Sequence, residues 1–270
     1  MNRLLLYFVL AYLISWAIWL PLILLKYGID TLPVLPEYHH YLGSFGPMLA
    51  AFIVRFIYEG RAGVKDLLKR LVQWKVNGIW YVIVLAVPVA LTIVAGYTSQ
   101  LINGEPFSMK GFSTNNEFPQ FGPLAYFMFN FLTFGVGEET GWRGFALPAL
   151  QKRFSALVST LILTVFWACW HISAFTYRPL YSQMDAAGIA GFLMSMLMGS
   201  VILTWLYNSA KGSLLIVSLF HAMIELIFIS DNITPRITQY EGMAFAVAVL
   251  LIVFITKPLN LSFLKRQKSV

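Results

Sequence analysis

A single cysteine, Cys169, has no second thiol in the 270-residue chain to pair with. That excludes an internal disulfide and any zinc site built from several cysteines, and Cys169 reads as a small apolar packing residue. Charge is the second scarcity. Asp, Glu, Lys and Arg make up 11% of the residues, against roughly a quarter in a soluble domain. Familiar signatures are missing as well. The chain has no Walker loop, no dinucleotide-binding glycine fingerprint, no HExxH helix and no GxSxG elbow. No internal repeat, low-complexity linker or second domain is evident either.

What fills the chain is apolar surface: 59% of residues are hydrophobic and the mean hydropathy is +0.72. This composition predicts an all-α, polytopic membrane protein forming one integral membrane domain over residues 1–270. The opening run "MNRLLLYFVLAYLISWAIWLPLILLKYG" is too long for a signal peptide and is followed by no small-x-small cleavage pattern, so it reads as a membrane span. Apolar runs of spanning length lie at about 3–25, 42–58, 79–102, 121–147, 155–176, 187–207, 212–230 and 240–257. Eight spans are therefore expected.

The connections between them alternate in charge. One set holds Arg61, Lys65, Lys69, Arg70 and Lys75, then Lys152 and Arg153, then Lys211 and the basic tail. The other set holds Asp30, Glu37, Glu105, Glu117, Asp185, Asp231 and Glu241. Of 19 Lys and Arg, 14 fall on the first side and 4 on the second, with Arg143 left inside a span. The positive-inside rule then predicts a multi-pass protein of the cell membrane with both termini cytoplasmic, as an even span count requires. The net charge of +7 is thus a mark of topology, and no nucleic-acid partner is expected. Residues 59–78 read as a solvated connector at the cytoplasmic surface.

Six ionisable residues lie well within the spans: Glu138, Glu139, Arg143, His171, His221 and Glu225. Such groups are costly in hydrocarbon and normally face a bundle interior or a wet cavity. His39 and His40 sit near a span boundary and read as solvated or interfacial. Counting along helices at ~1.5 Å per residue, Glu138 is about 22 Å and His171 about 27 Å from the turn at Arg153. From Lys211, His221 is about 15 Å and Glu225 about 21 Å in. Three helices thus carry polar groups at overlapping depth, so the set can converge. Glu139 and Arg143 are four apart and share a face; His221 and Glu225 repeat that spacing. Glu138 points about 100° away from Glu139. Gly135, Gly137, Gly141 and Gly144 strip side chains from the same segment, which allows a close approach.

A glutamate beside a neutral imidazole in a wet pocket can deprotonate water, and a second histidine can donate to the oxyanion formed at an amide. Two histidines and one or two glutamates also suit Zn²⁺, whose bound water would be the nucleophile. Both routes end in amide hydrolysis, and both remain open at this level. Ser173 and Ser218 read as packing residues whose hydroxyls bond backbone carbonyls. Trp142 and Trp170 each adjoin a motif residue and are candidate pocket walls, with helix packing as their default role.

Three motifs in order carry a resemblance. "EETGWR" matches EExxxR, "WACWH" at 167–171 resembles FxxxH with Trp167 at the aromatic position, and "HAMIE" at 221–225 resembles HxxxN or HxxxD. Together they resemble the CPBP family of intramembrane proteases, also called the CAAX protease and bacteriocin-processing, or Abi, family. The resemblance covers about residues 120–230, which it marks as the catalytic core. It implies that Glu138 and His171 activate the water and that His221 and Glu225 form the oxyanion pocket. It further implies that Glu139 and Arg143 orient and charge-compensate the site. Members have also been described as metalloproteases, which makes Glu138, His171, His221 and Glu225 candidate ligands for a divalent metal such as zinc. Glu225 departs from the family pattern, because an ionised carboxylate cannot donate to an oxyanion as a carboxamide can.

The expected activity is endopeptidase cleavage of a membrane-associated peptide or protein, CAAX-type or leader-type, reached from the cytoplasmic side or laterally between helices. Two other classes use similar groups: a non-catalytic peptide-binding or bacteriocin-immunity protein, and a proton-coupled transporter. The transporter would show repeat symmetry or paired broken helices.

Overall fold

Helices that are apolar on every face have nowhere to bury those faces but lipid or each other. In the computed structural model, which describes residues 2–30, 32–34, 38–228 and 230–268, the chain does both. Glu37, counted above among the acids, lies outside the described residues, as does residue 229 near the end of the seventh expected span. No strand occurs among the described residues, and the expected all-α architecture is present.

Eight helical elements correspond to the eight apolar runs: α1 (Arg3–Lys26), α2 (Phe45–Leu71), α3 (Ile79–Asn103), α4 (the consecutive pieces of residues 123–151), α5 (Ala156–Trp170), α6 (Ala186–Ser209), α7 (Leu214–Phe228) and α8 (Pro235–Thr256). Six helices among the described residues are long and apolar enough to cross a membrane. The two exceptions are α4, which is broken into pieces, and α7, which has 15 residues. At 1.5 Å per residue α7 is about 22 Å long, short of a bilayer core of roughly 30 Å. Both shortfalls have one cause. α7 sits in the middle of the bundle against α4 and α3, with most of its residues buried, so protein and not lipid surrounds it.

Starts are marked by capping side chains. Ser155 caps α5 through Val158 N, Asp185 caps α6 through Gly188 N, and Thr234 caps α8 ahead of Pro235. Between α4 and its neighbours the glycines are steric necessities. A Cβ on Gly135 would stand 2.6 Å from the Ser218 carbonyl oxygen, and one on Gly141 would stand 2.5 Å from that of Pro47. The expected close approach is therefore made, by α7 on one side and α2 on the other.

Residues 59–78 differ from the solvated connector expected of them. Helix α2 continues through them to Leu71 after a kink at Gly60, whose φ of 59° only glycine adopts readily. Past the kink Leu67 and Arg70 turn inward and are buried, while Lys65 and Lys69 remain exposed. An ion network holds the turn: Arg55 pairs with Glu59 at 2.8 Å and Asp66 at 2.7 Å, Asp66 also takes Arg70, and Arg3 reaches Glu59 at 3.0 Å.

The two ends of the bundle carry different charge. At one end lie this network, the Gln151–Asn208 amide pair and the tail, which packs back on the start of α5 through Ala156 N to Leu259 O at 2.9 Å. At the other end Arg178 pairs with Glu117, Arg236 with Glu105, and Asn116 with Asp231. The charge alternation read along the chain is thus assembled in space.

Candidate active site

The middle of α4 is wound as two wide π turns, Phe131–Glu138 and Trp142–Ala146, around a three-residue α stretch. A π turn leaves backbone carbonyls without a regular partner, and such turns recur at functional sites. Here those oxygens are taken from other helices: Ser218 Oγ donates to Gly135 O at 2.9 Å, and Arg70 Nη1 to Gly144 O at 3.2 Å. Ser218 therefore does what was expected of it. Ser173 does not, since its hydroxyl is buried without a hydrogen-bond partner.

Glu138 and Glu139 part company at the junction of these turns. Glu139 is fully buried and faces α7 and Arg143. One of its oxygens, Oε1, accepts from Arg143 Nη1 at 2.8 Å and from His221 Nδ1 at 2.8 Å. Arg143, also fully buried, donates its Nη2 to Ser200 Oγ at 3.1 Å and lies over the Trp167 ring, 4.6 Å from its centroid. The expected Glu139–Arg143 pair is present and has a third member in His221. Because a carboxylate only accepts, His221 Nδ1 carries the proton of that bond, and Nε2 is the nitrogen left to face outward. Its neighbour there is Glu225, 3.7 Å from Nε2.

Glu138 faces the other way. Its Oε2 accepts from Trp167 Nε1 at 2.8 Å. The same tryptophan positions His171 through its backbone: His171 Nδ1 meets Trp167 O at 2.8 Å. A carbonyl oxygen only accepts, so Nδ1 bears hydrogen and Nε2 presents a lone pair. This arrangement follows from sequence spacing, since Trp167 and His171 are four apart at the end of α5, one turn of helix.

Glu138, His171, His221 and Glu225 line one cavity of about 70 Å³, enough for several water molecules. Glu139 and Arg143 stand behind its wall. A larger, mostly apolar cavity of about 780 Å³ adjoins it, sharing Trp167, His171, His221 and Glu225, and runs between α6, α7 and α8 past Phe192, Met196 and Phe245. Tyr181 lines both. Burial pushes its phenol well above the ordinary range, so it remains a neutral hydroxyl donor.

Several wall residues were missed or misread in the sequence. His40, expected to be solvated, lines the smaller cavity, with its Nδ1 2.6 Å from Tyr177 Oη and its ring stacked on Trp19. His39 is buried, with Nε2 2.6 Å from Ile18 O. The loop that carries them folds inward over α1, so nearness to a span end did not mean exposure. Arg178 and Tyr41 complete that wall, and both engage Glu117. Of the two tryptophans proposed as walls, Trp170 lines the cavity, while Trp142 is wholly buried against Tyr7 and Trp170.

The donor set was tested against a metal. Among the described residues no three His, Cys, Asp or Glu side chains converge closely enough to hold one. His221 Nδ1 and His171 Nδ1 are spent on Glu139 and Trp167 O, so the four candidates do not fit a metal as they stand, and no step is routed through one.

The chain matches the family described as type II CAAX prenyl endopeptidase Rce1-like over residues 120–227. A curated relative, CAAX prenyl protease 2 of Methanococcus maripaludis, is 25% identical over 265 residues, covering 92% of this chain and 93% of its own length. A multi-pass helical bundle with this match is an intramembrane endopeptidase, a hydrolase whose surroundings are the lipid bilayer and whose substrate is a peptide at the membrane. The chain belongs to the CPBP family of intramembrane proteases.

Proposed function

We propose that the protein cleaves a membrane-associated peptide or protein, CAAX-type or leader-type, with a water molecule activated by Glu138 and His171. One observation carries this reading: Trp167 holds both groups, Glu138 by its indole N–H and His171 by its carbonyl, on the wall of one water-sized cavity. A water bound there gives one proton to Glu138 while His171 Nε2 accepts its second hydrogen bond. The oxygen adds to the scissile carbonyl carbon. The oxyanion accepts from His221 Nε2–H, with the ring acting as an imidazolium between the counter-charges Glu139 and Glu225. As the C–N bond breaks, Glu138 returns its proton to the leaving amine. The products are a carboxylate and a free amine.

Glu139 and Arg143 act on this chemistry by positioning His221. The larger apolar cavity would take the lipid-embedded part of the substrate, and an isoprenoid chain, in keeping with the name of the Methanococcus relative, suits its lining. No cofactor enters this route; a zinc-bound water is the competing one. Both termini are taken as cytoplasmic and the membrane as the cell membrane, on the charge alternation.

Cleavage of a quenched peptide library by purified protein in detergent tests the reading, with wild type and Glu138→Ala each assayed with and without a strong chelator. Wild-type cleavage that survives chelation and vanishes in Glu138→Ala is expected. Loss on chelation would favour the metal route. Glu225 supports one other reading, a peptide-binding relative that does not cut, because it confronts the oxyanion position with a carboxylate. Silence of wild type alongside cleavage by Glu225→Asn would establish that alternative.

A further inference from the structure

Both cavities belong to one end of the bundle. The loop-side wall of the smaller cavity is His40, Tyr41, Arg178, Leu180 and Tyr181. All five come from the acidic connections that follow α1 and α5. The larger cavity uses the first half of α6 from Gly188, the last half of α7 to Phe228, and the first half of α8 from Pro235. Those three halves adjoin the same end. Neither cavity is lined by any residue of the cationic connections at 59–78, 152–155 or 208–213, or of the tail after Thr256. His171 lies beyond the last residue of α5, a helix of 15 residues or about 22 Å that starts at the cationic end.

Charge says which end is which. Fourteen Lys and Arg and only two acids, Glu59 and Asp66, occupy the end away from the cavities. On the cavity side are four cations and seven acids, and two of those cations, Arg178 and Arg236, are neutralised by Glu117 and Glu105. Every connection is short enough for the positive-inside rule to apply. We infer that the active site opens to the extracytoplasmic half of the membrane and takes a peptide presented at that outer surface. This rests on the proposed topology, and it replaces the cytoplasmic entry expected from the sequence. The direction of entry was not legible there because depth was counted from the cationic turns without knowing which loops close over the site.

The test is the labelling of single cysteines by a membrane-impermeant maleimide in cells expressing the full chain, in a Cys169→Ala background. Gln183→Cys reports the exposed loop beside the cavities and Arg153→Cys the exposed turn at the other end. Gln183→Cys is expected to label equally in intact and permeabilised cells, and Arg153→Cys only after permeabilisation. A second pair, Asn116→Cys and Lys65→Cys, is expected to repeat the pattern and serves where one variant fails to accumulate. The reverse pattern, or labelling at both ends of intact cells, overturns the inference. Labelling needs no catalysis, so this result stands apart from that of the peptidase assay.

Discussion

Arginine meets carboxylate in two places in this bundle. At the cationic end Arg3, Arg55 and Arg70 share Glu59 and Asp66, and each charge of the group has an opposite partner. In the site Arg143 and Glu139 are matched in the same way, at the same i,i+4 spacing. Beside that pair, however, stand Glu138, His171, His221 and Glu225, each with an atom turned to a cavity. The first cluster consumes its charges in holding a kink at Gly60. The second uses one pair to hold the others ready. The sign of function is therefore not buried charge as such but a fixed polar group with valence to spare.

The contrast can be broken most severely at Glu139. Glu139→Ala leaves Arg143 and His221 Nδ1 buried without their acceptor, and removing one member of a buried pair typically costs about 3–5 kcal/mol. Thermal unfolding in detergent should show a large loss of stability, with activity lost alongside. Trp167→Phe sharpens the comparison, since it deletes one hydrogen bond to a carboxylate, worth about 1.5–3 kcal/mol, and leaves the backbone carbonyl for His171. It should lower kcat by about tenfold to a hundredfold at little cost in stability. Glu225→Asn replaces an acceptor near His221 with a group that can donate, and one neutral hydrogen bond of about 1 kcal/mol corresponds to a gain of about fivefold in kcat. The smallest effect belongs to the other cluster. Asp66 is 39% exposed, so Asp66→Asn should cost about 1 kcal/mol or less and leave peptide cleavage unchanged.

The same contrast marks what was legible in the sequence. Three motifs sufficed to gather Glu138, His171, His221 and Glu225, because helical spacing and depth are readable from one chain. Glu139 with Arg143 was legible for the same reason. His221 as a third partner of Glu139 was not, since that contact depends on how closely Gly135 lets α7 approach. His40 and Arg178 were missed because loops have no periodicity from which to read a direction. The π turns of α4 leave no signature in hydropathy, so a broken helix looked like a regular span. Past Gly60 the basic segment read as a connector because its charges outnumber Leu67 and Leu71, whose inward turn depends on the kink.

Glu138 decides the account most directly. Single-turnover cleavage by Glu138→Gln, which keeps an oxygen for the Trp167 N–H and removes the base, should be compared with wild type at matched thermal stability. A loss of about 10²- to 10⁴-fold, the usual contribution of a general base, is the expected result. Cleavage at the wild-type rate would contradict it and would return Glu138 to the role that Asp66 plays at the other end.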